Sequence, residues 1–145
     1  MSLHTPGARD AFIARIQSVT ASSPRHWGGM SPDQMLWHLN RSLSGSLGLE
    51  ASTPFKIPIP QWLMRFIALY LPWPKNSPTA PQFQPIGTYD LTHEKTVLVG
   101  LIQAVAAKPL DSEWGDHPAF GRMSGPQFSR LNALHLNHHL RQFGA

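Results

Sequence analysis

The sequence predicts an all-α protein: a four-helix bundle whose second and third helices are joined by a long proline-rich crossover containing a short apolar helix. Three observations carry this reading. Four segments repeat apolar residues at helical spacing. Two of them open with a capping-box pattern, Ser31-Pro32-Asp33-Gln34 and Ser124-Gly125-Pro126-Gln127. No stretch reads as a strand, which would alternate apolar and polar residues with a period of two. The 145 residues suit one domain spanning 1–145, long enough to bury a core without disulfides.

The first helix is expected from Pro6 to Val19, with Thr5 as its cap and Phe12, Ile13, Ile16 and Val19 as its apolar stripe. The second follows the Ser31 cap through Trp37-His38-Leu39-Asn40 to about Leu47, stopped by Gly48. Between Ala51 and Pro85 lie eight of the fourteen prolines, which forbids a long regular element there. Within that stretch, residues 61–71 are apolar nearly all round. They suit a core or crossover helix, a homodimer face, or a helix lying on a membrane surface. The third long helix runs from near Asp90 to Ala107, with Leu98, Leu101, Ile102 and Val105 at core spacing. A polar loop through Asp116–Gly121 precedes the fourth helix, which ends at Phe143-Gly144.

The absence of cysteine excludes a disulfide scaffold, a thiolate metal site and a cysteine nucleophile. The net charge of +4 arises from scattered residues, which describes a solvated surface rather than the clustered basic face that nucleic acid requires. The N-terminus lacks the charged start and apolar run of a secretory signal, and no stretch reaches the roughly 18 to 20 apolar residues of a membrane span. The expectation is a soluble cytoplasmic protein.

Histidine is the one abundant metal-ligating side chain: there are eight, and four lie after residue 116. On a helix, His135 and His139 stand about 40° apart around the axis and overhang one patch of surface. Wrapping residues 128–143 on a helical wheel places both, with Gln142, near the middle of a face flanked by Leu131, Leu134, Leu136 and Phe143. Each inward imidazole then needs a partner for its nitrogens. Either other helices supply hydrogen bonds, or the pair grips one divalent metal ion, which needs a third ligand from another helix. His38 is the natural candidate, mid-helix beside Met35, Leu39 and Leu43, with small Ser42, Gly45 and Ser46 on its own side. Gln34, Gln142 and His138 are candidates for orienting the ligands, and His117 for the rim of the site. For His138 and His117 a structural role is the first reading, with a ligand role the alternative for His138 and an acid/base role for His117. No carboxylate stands out as a general base; Asp33, Glu113 and Asp116 read as caps or solvated loop residues. The tryptophans Trp37, Trp62, Trp73 and Trp114 read as core rather than pocket.

These residues resemble a known pattern. His38 on the second helix, with His135-x-x-x-His139-x-x-Gln142 on the fourth, is similar to the DinB/YfiT-like superfamily of four-helix metalloenzymes. Trp27-Gly28-Gly29-Met30-Ser31-x-x-Gln34-Met35-x-x-His38-Leu39-Asn40 resembles the start of one uncharacterised bacterial family within it. Pro78-Thr79-Ala80-Pro81, His117-Pro118-x-Phe120-Gly121 and His135-x-x-His138-His139-Leu140-x-Gln142-Phe143-Gly144 extend the resemblance along nearly the whole chain. One local departure is Gly29, where members often carry a basic residue. The resemblance implies an up-down-down-up bundle with a metal held by His38, His135 and His139.

Known activities in that superfamily include metal-dependent transfer of low-molecular-weight thiols and a thiol-dependent isomerisation. The resemblance therefore implies a metal-dependent enzyme acting on a small-molecule substrate, with a thiol as nucleophile or cofactor. Two other classes stay open: a hydrolase using metal-bound hydroxide, and a non-catalytic metal-stabilised binding or stress-response module. Three imidazoles without a carboxylate favour zinc or nickel among the divalent metals.

Overall fold

The computed structural model describes residues Met1–Ala145, about half of them helical. Five α-helices appear in chain order: α1 (Ala8–Ser18), α2 (Pro32–Ser46), α3 (Gln61–Tyr70), α4 (Leu91–Ala107) and α5 (Gly125–Gln142). A single 3-10 turn covers Pro81–Phe83. Two two-residue strands, β1 (Asp116–His117) and β2 (Gly121–Arg122), pair antiparallel with Asp116 opposite Arg122 and His117 opposite Gly121.

The two strands correct the strand-free expectation. A ladder of two residues is too short to display an alternating pattern, so only Pro118 in its turn and Gly121 at the start of β2 mark it in the sequence. The start of α1 also differs. Its N-cap is Gly7, in the left-handed region at φ 77°, and the Ala8 N–H reaches the Thr5 carbonyl at 3.0 Å. Thr5-Pro6 thus forms a turn before the helix instead of its first residues.

The other boundaries follow local chemistry. At α5, the Gln127 N–H donates to Ser124 Oγ (3.4 Å) and the Ser124 N–H donates to Gln127 Oε1 (3.0 Å), the reciprocal capping box. At α2, Gln34 Oε1 accepts from the Ser31 N–H at 3.1 Å. Asp90 caps α4 by accepting from the His93 N–H at 2.8 Å. Gly48 (φ 74°) and Gly144 (φ 71°) take up the left-handed turns just past α2 and α5.

The four longer helices close a ring of contacts: α1 on α4, α4 on α2, α2 on α5 and α5 on α1. One continuous core fills it, with Ile16, Met35, Leu36, Leu39, Leu98, Ile102, Leu136 and Leu140 at the centre. At roughly 1.5 to 3 kcal/mol for each fully buried side chain, this cluster dominates the fold's stability. Polar groups also cross it. Asn40 Nδ2 donates to both the main-chain and side-chain oxygens of Glu94, tying α2 to α4, and Asn132 Nδ2 donates to Ser46 Oγ at 2.9 Å, tying α5 to α2. His4 bridges Ser129 Oγ (2.7 Å) and the Lys108 carbonyl (2.9 Å), pinning the N-terminus.

Helix α3 packs outside the ring against α5, burying Ala68 and Leu69. Arg130 Nε donates to the Leu69 carbonyl (2.7 Å), and Arg65 Nη1 donates to the Phe120 (3.2 Å) and Arg122 (2.9 Å) carbonyls of the strand pair. Its far side carries Trp62, Phe66 and Tyr70, each more than half exposed. No helix is long and apolar enough to cross a membrane.

Candidate metal centre

Three of the predicted residues meet. The Ser31 cap sets the register of α2 so that Met35, Leu39 and Leu43 enter the core, and His38 lies one residue before Leu39 on the side facing α5. On α5, His135 and His139 stand one turn apart. The three ring centroids form a near-equilateral triangle: 4.8 Å for His38–His135, 4.7 Å for His38–His139 and 4.7 Å for His135–His139. One ligating nitrogen from each lies within 4.8 Å of the other two. His38 and His139 are buried; His135 keeps some exposure.

The hydrogen bonds on the outer nitrogens decide which ring atoms face inward. His38 Nδ1 lies 2.8 Å from the Phe83 carbonyl, which can only accept, so Nδ1 carries the proton. His139 Nδ1 lies 2.6 Å from Gln142 Oε1, again an acceptor. His135 Nδ1 lies 3.1 Å from Ser42 Oγ, which accepts equally well. His38 and His139 are thus Nδ1–H tautomers with Nε2 free to ligate, and His135 takes the same form when it donates to Ser42 Oγ. His38 Nε2 and His135 Nε2 are 2.8 Å apart. At that distance one ring donates to the other through an Nε2–H when no cation is bound, and both can offer lone pairs to a shared cation when one is.

The donor set fits a divalent cation. Three neutral imidazoles with their distal N–H groups held by oxygen acceptors are the arrangement found around histidine-bound metals. The electrostatics agree. Burial pushes the His38 imidazole down to about 4, against the opposing pull of the Phe83 carbonyl. His135 and His139 are held well below the ordinary imidazole value, by burial first and then by their histidine neighbours. All three are neutral near pH 7, the state in which they ligate.

The remaining candidates fall into two groups. Gln142 is at the site, buried at the end of α5, where its side chain sets the His139 ring. Gly28 packs against it: a Cβ there would lie 2.5 Å from Gln142 Nε2, and φ at Gly28 is 80°. The His26 N–H donates to the Gln142 carbonyl at 2.7 Å. Gln34 is not at the site. Its Oε1 caps α2 and its Nε2 donates to the Gly87 carbonyl at 2.8 Å.

His138 is half-buried beside the cluster, 5.1 Å from the His139 ring and 5.5 Å from Trp73. Burial and the nearby Arg141 charge lower its pKa. His117 lines the same cavity, stacked 4.1 Å from Phe120. Its Nδ1 accepts the Ala119 (3.1 Å) and Phe120 (3.3 Å) N–H groups, which leaves the proton on Nε2. Burial pushes this ring down to about 4 as well.

Several partners were not foreseen from the sequence. The Phe83 carbonyl is delivered by the 3-10 turn that Pro81 starts, and the Phe83 ring rests 3.6 Å from where a Gly45 Cβ would lie. The space left by Gly45 therefore receives the crossover. Trp73, read as core, stands over His135 at 5.6 Å and lines the cavity. The Pro78–Pro81 motif was the available clue to this contact.

The whole chain, residues 1–145, matches a family described as protein of unknown function, DUF1569. The chain belongs to this family. No curated protein and no solved structure matches it. The DUF1569 match covers the helices that carry the three histidines and the crossover that covers them, so both parts of the site lie within the family region.

Proposed function

We propose that this DUF1569 protein is a divalent-metal-dependent enzyme with a bundle of the DinB/YfiT-like type, in which His38, His135 and His139 hold the ion. The observation that carries the reading is the convergence of one nitrogen from each histidine within 4.8 Å of the others, with an oxygen partner on each outer Nδ1. The bound cation supplies Lewis-acid charge that lowers the pKa of a nucleophile and steadies developing negative charge. The chain's own residues do the rest: Phe83, Ser42 and Gln142 fix the ring orientations, and burial keeps the imidazoles deprotonated.

A low-molecular-weight thiol is the favoured nucleophile. No carboxylate lines the cavity. A thiol, with its ordinary value near 8.5, is ionised more completely by a cation that brings bound water only to about 7. The cavity reaches all three histidines, which supports an exchangeable position and hence catalysis over a purely structural ion. Zinc or nickel is the expected metal.

The test is elemental analysis of tag-free protein, as wild type and as His38→Ala, His135→Ala and His139→Ala. One equivalent of metal in the wild type and less than a tenth in each helical variant is expected. Stoichiometric metal retained by all three would overturn the assignment. A thiol-transfer assay against several electrophiles, with and without added thiol, then separates transfer from hydrolysis.

A further inference from the structure

Above the histidine triangle lies a cavity of about 470 Å³. Its floor is the cluster on α2 and α5; its walls come from α3, the crossover and the loop at His117. None of the side chains lining it is Asp, Glu, Lys or Arg. Ile57, Ile59, Met64, Ile67, Trp73 and Phe120 give the wall its surface. Of the polar groups in this wall, Thr79 contributes a hydroxyl, and those of Trp73 and Ser77 are engaged by main-chain oxygens. Trp73 Nε1 donates to the Ala68 carbonyl (2.7 Å), and Ser77 Oγ donates to the Pro74 carbonyl (2.9 Å). At the inner end His117 offers a neutral Nε2–H, its other nitrogen fixed by two backbone amides.

We infer that this cavity binds an uncharged, mainly hydrocarbon or aryl molecule with one polar end group directed at the histidines. A charged group along the wall would lose its hydration and find no partner. An apolar body gains from the wall in proportion to the area it buries. At the roughly 30 Å³ that a water molecule occupies in the liquid, the volume corresponds to about 15 non-hydrogen atoms. The end-group preference rests on the metal reading above; the preference of the wall does not.

Calorimetry tests both parts. Metal-loaded protein is titrated with straight-chain alkanethiols of three to eight carbons, and with ω-mercaptocarboxylates of the same lengths. Affinity is expected to rise about three- to fourfold per methylene until the cavity is filled. The carboxylate-tipped chains should bind at least 50-fold more weakly than the equally long alkanethiols. Metal-free protein is titrated with 1-alkanols, where the same slope should appear at lower affinity.

In Ile67→Lys, checked for helicity and metal content, the preference should invert toward the carboxylate. A flat series in both protein forms, or equal binding of the carboxylates, would overturn the proposal even with metal bound. Failure of the protein to take up any divalent metal, with the alkanol slope intact, would leave the apolar cavity standing and defeat the metal reading alone.

Discussion

The floor of the cavity and its roof differ in how each is held. Helices α2 and α5 place His38, His135 and His139 on regular backbone, capped by side chains at Ser31 and Ser124, and the outer nitrogen of each histidine has a partner. The roof, from Ala51 to Tyr89, has one ten-residue helix and one 3-10 turn, fixed largely by arginine and tryptophan side chains reaching main-chain carbonyls. Regular floor and irregular roof divide the work of a site. Ligands to a metal must sit within a few tenths of an ångström, whereas an apolar wall needs only shape and the exclusion of water. The two regions should therefore respond to substitution in different measurements.

The largest effect belongs to the floor. His139→Ala removes a ligand, and metal affinity should fall at least 100-fold, measured by competition with a chromophoric chelator. The metal-dependent rise in Tm should disappear with it, since stabilisation by a ligand follows its affinity. Trp73→Ala, in the roof, should leave metal affinity within threefold while weakening alkanethiol binding about tenfold. If Trp73→Ala strips the metal as His139→Ala does, the division between floor and roof is false.

Next comes the shell behind the ligands. Gln142→Leu keeps the shape of the α5 terminus but takes the acceptor from His139 Nδ1, and 10- to 100-fold weaker metal binding is expected. Unchanged affinity in Gln142→Leu would mean that packing alone orients the ring. Gly28→Ala tests the same contact from the other side, because a Cβ meets Gln142 Nε2 and the left-handed φ at Gly28 disfavours any side chain.

A smaller effect follows pH at two rings that line the cavity. His38 and His117 have folded-state values near 4 against an ordinary 6.5, so the unfolded chain binds protons first as pH falls. Their contribution to stability is fully present above about 6.5 and is lost as pH drops toward 4. Metal-free protein should lose on the order of 1 kcal/mol per histidine at pH 5.5, seen as a Tm lower by several degrees. His117→Phe should flatten part of this dependence. A Tm independent of pH between 7 and 5 in metal-free protein would contradict the burial of these rings as neutral groups.

The same division explains what was legible in the sequence. The floor could be read because regular helices convert spacing into direction. The capping boxes fixed the register, the four-residue interval of His135 and His139 gave a shared face, and His38 followed from the stripe beside Met35, Leu39 and Leu43. Of the roof only α3 could be read, from its apolar run at 61–71; the rest could not, because proline-rich chain has no periodicity from which to infer what faces inward. The Phe83 carbonyl and Trp73 belong to that stretch, and a main-chain oxygen leaves no trace in residue identity. Gln34 failed for a different reason: its amide can cap the helix or reach a ligand, and the cap lies closer. The two-residue strands were below the length at which alternation means anything.

The smallest effect tests the outer face of the roof. Helix α3 turns Met64, Ile67 and Ala68 to the cavity and leaves Trp62 (65%), Phe66 (51%) and Tyr70 (59%) exposed. Exposed side chains in an isolated chain contribute little, and Trp62→Ser with Phe66→Ser should change stability by no more than about 0.5 kcal/mol. Metal content and the alkanethiol slope should both be unchanged. Chemical denaturation at two protein concentrations tenfold apart provides the check. A loss above about 1 kcal/mol that grows with protein concentration would mean a second copy of the chain covers this face, and the roof would then be braced from outside as firmly as the floor is from within.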